Sequence, residues 1–132
     1  MEKSKGMKSI FILILISMIS FSSIGQIKDY RELILFYPLS KVDSATKQYQ
    51  LLSKDLVGLT TRQIKITRVE SNAKNSYLFK AYQVNPNLFT VMLIGKDGGV
   101  KFRSHNTIYF KKLYGIIDQM PMRREEMGKQ NQ

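Results

Sequence analysis

Hydrophobic residues fill nearly every position of two segments, a pattern typical of strands buried on both faces of a sheet. These segments are residues 31–37 and residues 89–94. Two other segments, 63–69 and 100–104, alternate between apolar and polar residues, as half-exposed edge strands do. The pattern therefore predicts a four-stranded sheet in which the two apolar strands are central and the two alternating strands form the edges.

Between the first two strands, the spacing of apolar residues predicts a helix. Asp43 or Ser44 can cap its beginning, because both side chains accept hydrogen bonds from backbone N–H groups. Gly58 is a plausible stop. The apolar stripe recurs every three to four residues and consists of Ala45, Tyr49, Leu52 and Leu56.

Two further helices are predicted. The first is short and covers residues 77–84, and Asn85-Pro86-Asn87 ends it. The last begins after Asn106 or Thr107 as the capping residue, and Pro121 ends its regular part. Its buried stripe would be Leu113, Ile116, Ile117 and Met120.

The strand at 89–94 and the strand at 100–104 are joined by a glycine-rich turn. The residues Lys96-Asp97-Gly98-Gly99 contain the Asp-Gly pair that strongly favours a hairpin. We expect Gly98 and Gly99 to supply positive φ angles and Asp97 to bond the local backbone. A phosphate loop is a poorer interpretation, because the segment leads into a strand and lacks the Gly-Lys-Ser/Thr ending.

The order of elements is strand, helix, strand, short helix, strand, strand, helix. The first strand–helix–strand unit favours a parallel pair, and the hairpin adds an antiparallel pair. A four-stranded mixed sheet flanked by helices, with this order and these edges, is the thioredoxin-like arrangement of the α/β class.

Residues 89–103, followed by Ile117-Asp-Gln-Met-Pro-Met-Arg-Arg-Glu-Glu-Met127, resemble the DUDES-type or DUF4174-like family. The resemblance is strongest over residues 88–127 and extends from Arg31 onward. It implies a small exported protein with a thioredoxin-like fold and no established enzymatic activity. Similar domains occur within extracellular matrix proteins of animals.

The N-terminus predicts export. Residues 1–25 have the basic start, the apolar run and the small residues Ser23 and Gly25 of a cleaved signal peptide. The apolar run is too short for a comfortable membrane span, which needs about 20 residues. We therefore expect a thioredoxin-like domain at 26–127, a polar tail at 128–132, a location in the periplasm or outside the cell, and no transmembrane segment after signal cleavage.

The amino-acid composition limits the reactions and the partners that can be expected of this chain. The chain contains no Cys, so it has no thiol for redox catalysis. Beyond position 25 it holds 18 Lys and Arg against 9 Asp and Glu, a net charge of +9. The basic residues are dispersed and there is no Trp, so nucleic acid is an unlikely partner. We expect no metal and no cofactor, since the chain has one His and no clustered carboxylates at ligand spacing.

Thioredoxin-like enzymes hold their reactive Cys after the first strand, where this chain has Ser40 to Ser44. We interpret these hydroxyls mainly as turn and capping groups. A non-thiol enzyme with its site at this loop is the alternative, but a hydroxyl nucleophile needs an adjacent base. The single His, His105, should lie far from the loop. Thioredoxin folds use a cis-proline before the third strand, but Pro86 lies slightly early for that role, three residues before Phe89, and cis is a minority state of X–Pro bonds.

The functional prediction is a binding or interaction module at the cell envelope, with an unknown protein or an anionic envelope component as its partner. Four basic residues could converge into one binding patch: Lys101, Arg103, Arg123 and Arg124. The alternative for them is a charged edge strand that discourages aggregation and a solvated helix end. The oligomeric state is left open.

Overall fold

The computed structural model describes residues 26–132, so the predicted signal peptide lies outside the described residues. The strands are β1 (Arg31–Tyr37), β2 (Ile64–Glu70), β3 (Thr90–Ile94) and β4 (Val100–Ser104). The helices are α1 (Val42–Ser53), α2 (Leu56–Thr61), α3 (Ser76–Ala81), α4 (Phe110–Asp118) and α5 (Pro121–Gln130).

The four strands form one mixed sheet in the order β2-β1-β3-β4. Strand β1 pairs in parallel with β2 and antiparallel with β3, and β3 pairs antiparallel with β4. Both faces of β1 and β3 are covered, so nearly all of their residues are buried, whereas β4 and all of β2 except Val69 are at least partly exposed. The predicted sheet, with its central and edge strands, is confirmed.

Helices cover both faces of the sheet. On one face, Leu33 and Leu35 pack with Leu52 of α1 and with Leu113 and Ile117 of α4. The predicted apolar stripe of α4 is confirmed, because Ile116 and Met120 pack against the same core. On the other face, a second core forms between the sheet and α3, and its buried residues are Ile34, Phe36, Val69, Phe79, Val84, Met92 and Ile94.

The first helix differs from its prediction at both ends. A 3-10 turn, Leu39–Lys41, leads directly into α1, so neither Asp43 nor Ser44 caps the helix with its side chain. The helix ends at Ser53, and Gly58 lies inside the separate helix α2. The reason is Asp55, whose Oδ1 accepts a 2.9 Å hydrogen bond from the Gly58 N–H and thereby starts a new helix.

The buried stripe of α1 contains a polar residue in place of two predicted apolar ones. Tyr49 and Leu56 are exposed, whereas Gln48 is fully buried. Gln48 donates through Nε2 to the Ile108 carbonyl at 2.9 Å and accepts at 2.7 Å from the Ile108 N–H. These two bonds fasten α1 to the segment that precedes α4.

The C-terminal region continues the fold further than predicted. Helix α4 begins after Tyr109, so Asn106 and Thr107 do not cap it. Pro121 starts α5 and does not end the structure, because proline suits the first helical position, where no N–H bond is needed. The helix runs to Gln130 and so includes most of the predicted polar tail at 128–132.

The hairpin turn confirms most of its prediction. Gly98 has φ of +81°, and Asp97 Oδ1 accepts from the Gly99 N–H at 3.0 Å. Gly99 does not have positive φ, so one glycine in the left-handed region is sufficient for this turn. Leu93 pairs with Phe102 and Ile94 with Val100, which leaves Lys101 as the extra residue of a β-bulge.

Within residues 26–132, no helix is both long and apolar enough to cross a membrane. All peptide bonds in this part of the chain are trans, including the bond before Pro86.

Candidate functional site

A concave surface lies between the hairpin turn and the beginning of α5. We call it the hairpin groove and define it by Arg31, residues 95–97, Lys101 and residues 120–122. Its volume is about 300 Å³, at the low end for small-molecule sites. Side chains of both signs of charge and two methionines line it, so the groove combines polar recognition with apolar contact.

Glu126 of α5 joins the helix to the wall of the groove. Its carboxylate accepts hydrogen bonds at 3.2 Å from Nη1 and Nη2 of Arg31 and at 2.6 Å from Lys96 Nζ. Arg123 lies one helical turn before Glu126, with its Nη1 at 3.5 Å from the carboxylate. Burial alone would raise the pKa of Glu126, but the hydrogen bonds from Lys96 and Arg31 outweigh it and hold the pKa below its usual value.

A second carboxylate, Asp118 at the end of α4, also helps to hold α5 in place. Arg62 donates to its two oxygens at 3.0 and 2.7 Å, and Arg123 Nε donates at 3.3 Å. Burial would raise the pKa of Asp118, yet the bonds from both arginines lower it. The two carboxylates together anchor α5, and with it residues 120–122 of the groove.

Lys101 lies at the rim of the groove because the β-bulge alters the alternation of β4 at this position. Its Nζ donates to Asp97 Oδ2 at 2.7 Å. This hydrogen bond is the main reason why the pKa of Asp97 lies below its ordinary value, and the Gly99 N–H adds to it. Both side chains are substantially exposed, at 34% and 50%, so the pair can exchange with other partners.

The other three predicted binding residues do not join Lys101 in one patch. Arg103 donates to the carbonyls of Tyr82 and Gln83 at 2.7 and 2.9 Å, the two residues that directly follow α3. Arg123 is 3% exposed and also donates to the Thr61 carbonyl at 3.1 Å, so its guanidinium group forms bonds within the protein. Arg124 is exposed on α5, and none of its side-chain atoms is bonded within residues 26–132. Lys101, Arg103 and Arg123 therefore bond to three separate sets of partners.

A second cavity lies at the N-terminal end of α1, where the sequence placed the alternative enzymatic site. Its volume is about 350 Å³, and Lys41, Ser44 and His105 line it. The prediction that His105 lies far from this loop is therefore wrong, because the end of β4 returns to the same edge of the sheet as the end of β1.

In this second cavity, the hydrogen bonds of His105 go to residues other than Ser44. His105 Nδ1 lies 3.2 Å from Thr90 Oγ1 and 3.2 Å from the Phe89 carbonyl. Among the described residues, no hydrogen bond links His105 to Ser44, and no side-chain bond is made by Ser40. The described part of the chain also contains no group of three His, Asp or Glu side chains that could hold a metal ion.

Sequence reasoning missed Arg31 and Glu126 as residues of the site. Arg31 and Glu32 open a strand whose other residues are apolar, and Arg31 is 1% exposed. A charged residue inside an apolar strand signals a buried partner, but the partner lies 95 positions away in the sequence. Nothing in the local pattern around Glu126 identifies it.

The sequence matches a known family of domains. A family model described as a domain of unknown function (DUF4174) matches residues 26–126. Among curated proteins, none matches this sequence.

Solved structures resemble the fold. One is described as the structure of a malarial protein, and another as thioredoxin-2, a component of the protein secretion machinery of the malaria parasite. Each has a TM-score of 0.53 and 19% sequence identity, and each comparison covers 69% of this chain. The shares of the two solved chains covered are 97% and 84%. At this identity the likeness shows the fold alone, which is thioredoxin-like.

Proposed function

Given that this chain belongs to the DUF4174 family of domains of unknown function, we propose that it is an exported binding module whose ligand site is the hairpin groove. The observation that carries the proposal is the groove itself. There, Lys101 lines the same groove as Met120 and Met122, which lie at the start of the firmly anchored helix α5. The partner is a protein or an anionic component of the cell envelope.

The absence of Cys supports a binding role over the activity common in this fold. Thiol–disulfide exchange requires a thiolate as the attacking group. In this chain, serines and a lysine occupy the loop after β1. A hydroxyl cannot replace a thiol in that exchange at neutral pH, so the fold serves here as a scaffold.

The anchoring of α5 supports the choice of groove. Preorganised sites bind more tightly, because less conformational freedom is lost on binding. Glu126 and Asp118 hold α5 through buried or half-buried cations on both sides of it. The groove is therefore a preformed surface, which is the usual condition of a ligand site.

Export and binding are tested together in cells that produce the full chain. We expect the mature protein to begin at residue 26 and to be retained with the envelope fraction. Replacing Lys101 with Glu should release it, because the rim then repels an anionic partner. Lys74→Glu is the matched control, since Lys74 is exposed near the opposite end of the sheet, after β2.

The outcomes of this experiment are distinct. Retention of the wild type and of Lys74→Glu, with loss of Lys101→Glu, supports the proposal. Equal retention of all three proteins would show that the groove is not the binding surface. An uncleaved protein in the cytoplasm contradicts the export part of the proposal.

One observation favours a second candidate function, a hydroxyl-based enzyme. Ser44 and His105 line the same cavity at the N-terminus of α1, and a histidine is the usual base for a serine nucleophile. Hydrolysis of p-nitrophenyl acetate by the wild type, reduced at least tenfold in Ser44→Ala and in His105→Ala, would support it. Equal rates for the three proteins reject it.

A further inference from the structure

We propose that the hairpin groove binds a carboxylate carried on a short aliphatic chain. This inference rests on the proposed function, because it names the ligand class of the same groove. It is argued from the cation that remains available in the groove, from the charge of a buried arginine behind its wall, and from the apolar wall beside them.

The cations of the groove differ in how firmly they are held. Arg31 and Lys96 are almost completely buried and both bind Glu126. The partner of Lys101 is Asp97, whose side chain is half exposed. Because exposed ion pairs contribute little to stability, Lys101 can leave Asp97 for a ligand anion without harm to the fold.

Arg31 provides a second positive charge. Its Nε is buried and has no hydrogen-bond partner among the described residues, although Nη1 and Nη2 are bonded. Buried donors in folded proteins are nearly always bonded. Because protein atoms cover Nε, Arg31 does not bond a ligand directly; its guanidinium instead adds positive charge behind the wall of the groove, which favours a bound anion.

The wall next to these cations is apolar. Met120, Pro121 and Met122 form it, and Met122 is 37% exposed. Methionine side chains adapt to the shape of a bound apolar group. An aliphatic chain lying on this wall would bury both the ligand and Met122.

The volume of the groove limits the size of the ligand. The groove has a volume of about 300 Å³, which equals the volume of about ten water molecules in the liquid. A monocarboxylate of about eight carbons matches this space. An inorganic phosphate would leave the apolar wall uncovered and would meet a single readily available cation, so we favour the aliphatic carboxylate.

The test is NMR titration of the exported protein with sodium octanoate, kept below its micelle-forming range. We expect saturable shifts in the backbone amides of residues 95–99 and in the Arg31 Nε–H resonance. The dissociation constant should be on the order of 1 mM, as expected for a ligand of this size. Acetate, which lacks the chain, and octan-1-ol, which lacks the charge, should each bind at least tenfold more weakly.

Lys101→Met removes the charge and keeps the apolar stem, and it should weaken octanoate binding about tenfold, as the loss of one charge-assisted hydrogen bond does. Lys74→Met is the matched control and should leave the affinity unchanged. Absence of saturable shifts, or equal binding of octanoate and octan-1-ol, overturns the ligand class. If octanoate fails while Lys101→Glu still releases the protein from the envelope, the proposed function stands and this inference alone is wrong.

Discussion

The replacement of Glu126 by Gln tests the anchoring of α5, which shapes the groove. One carboxylate here serves Arg31, Lys96 and Arg123, whose side chains are 1%, 10% and 4% exposed. Glutamine keeps the size of the side chain but removes its charge, so three nearly buried cations lose their common counterion.

The expected loss in the free energy of unfolding follows from how deeply the three cations are buried. Removing one member of a buried ion pair typically costs about 3–5 kcal/mol, because the remaining charge is uncompensated. The Glu126 side chain is 22% exposed, and glutamine still offers one acceptor oxygen, so we expect about 2–3 kcal/mol. For a domain of this size that corresponds to a drop in Tm on the order of 10–20 °C.

The effect should depend on pH in a defined direction. The pKa of Glu126 in the folded protein lies below its usual value. Its stabilisation is therefore complete above the unfolded-state pKa, about 4.3, and is lost as the pH falls through the folded-state pKa. The difference between wild type and Glu126→Gln should be largest at neutral pH and should shrink on acidification.

Urea unfolding followed by circular dichroism, at neutral pH and in acid, measures both effects. The matched control is Glu125→Gln, because Glu125 is the exposed neighbour on the same helix and carries the same charge. Equal free energies of unfolding for the two variants at neutral pH would refute the reasoning. So would a Glu126→Gln deficit that persists unchanged in acid.

Three further predictions concern the rest of the fold. Gln48→Leu should lower the free energy of unfolding by about 2–4 kcal/mol in urea titrations, since the N–H and carbonyl of Ile108 would lose their buried partners; a neutral effect would contradict this. Burial, together with a hydrogen bond to Asp55, raises the pKa of Tyr114 to about 12, so absorbance titration should show a tyrosine ionisation near this pH, and this step should vanish in Tyr114→Phe. Because the unfolded state ionises first, this tyrosine should cost stability between about pH 10 and 12, and Tyr114→Phe should remove that loss. Gly98→Ala should cost about 1 kcal/mol in thermal unfolding, because φ is +81° with open space around the Cβ position; an unchanged Tm would count against that turn geometry.

The sheet could be predicted because its information is local. Continuous apolar runs identify strands covered on both faces, and alternation identifies edges, so β1 to β4 and their order in the sheet follow from short windows. The Asp97-Gly98 pair likewise carries its own turn chemistry. These elements need no knowledge of distant residues.

The helix ends and the site could not be predicted for the opposite reason. Asp43 fails as a cap because a 3-10 turn already leads into α1. Gln48 is buried because Ile108, 60 positions away, offers it two backbone partners. Arg31 and Glu126 meet across 95 positions, and the roles of such pairs appear only once the chain is folded.

The basic residues illustrate the same limit. Alternation along an edge strand suggests one charged face that includes Lys101 and Arg103. A single bulge and a distant helix end separate them, so that Lys101 borders the groove while Arg103 closes the end of α3. The binding role of Lys101 stays a prediction.

Photo-crosslinking in cells is the most direct test of the central proposal, which is that this domain is exported and that the hairpin groove is its binding surface. A photoreactive amino acid replaces Met122 in the full chain, and a second protein carries it at Lys74, near the opposite end of the sheet. We predict a discrete crosslinked product, found in the envelope fraction, for position 122 only, and its reduction when Lys101→Glu is added. Identical product patterns from both positions, or a product at 122 that is unaffected by Lys101→Glu, would contradict the account.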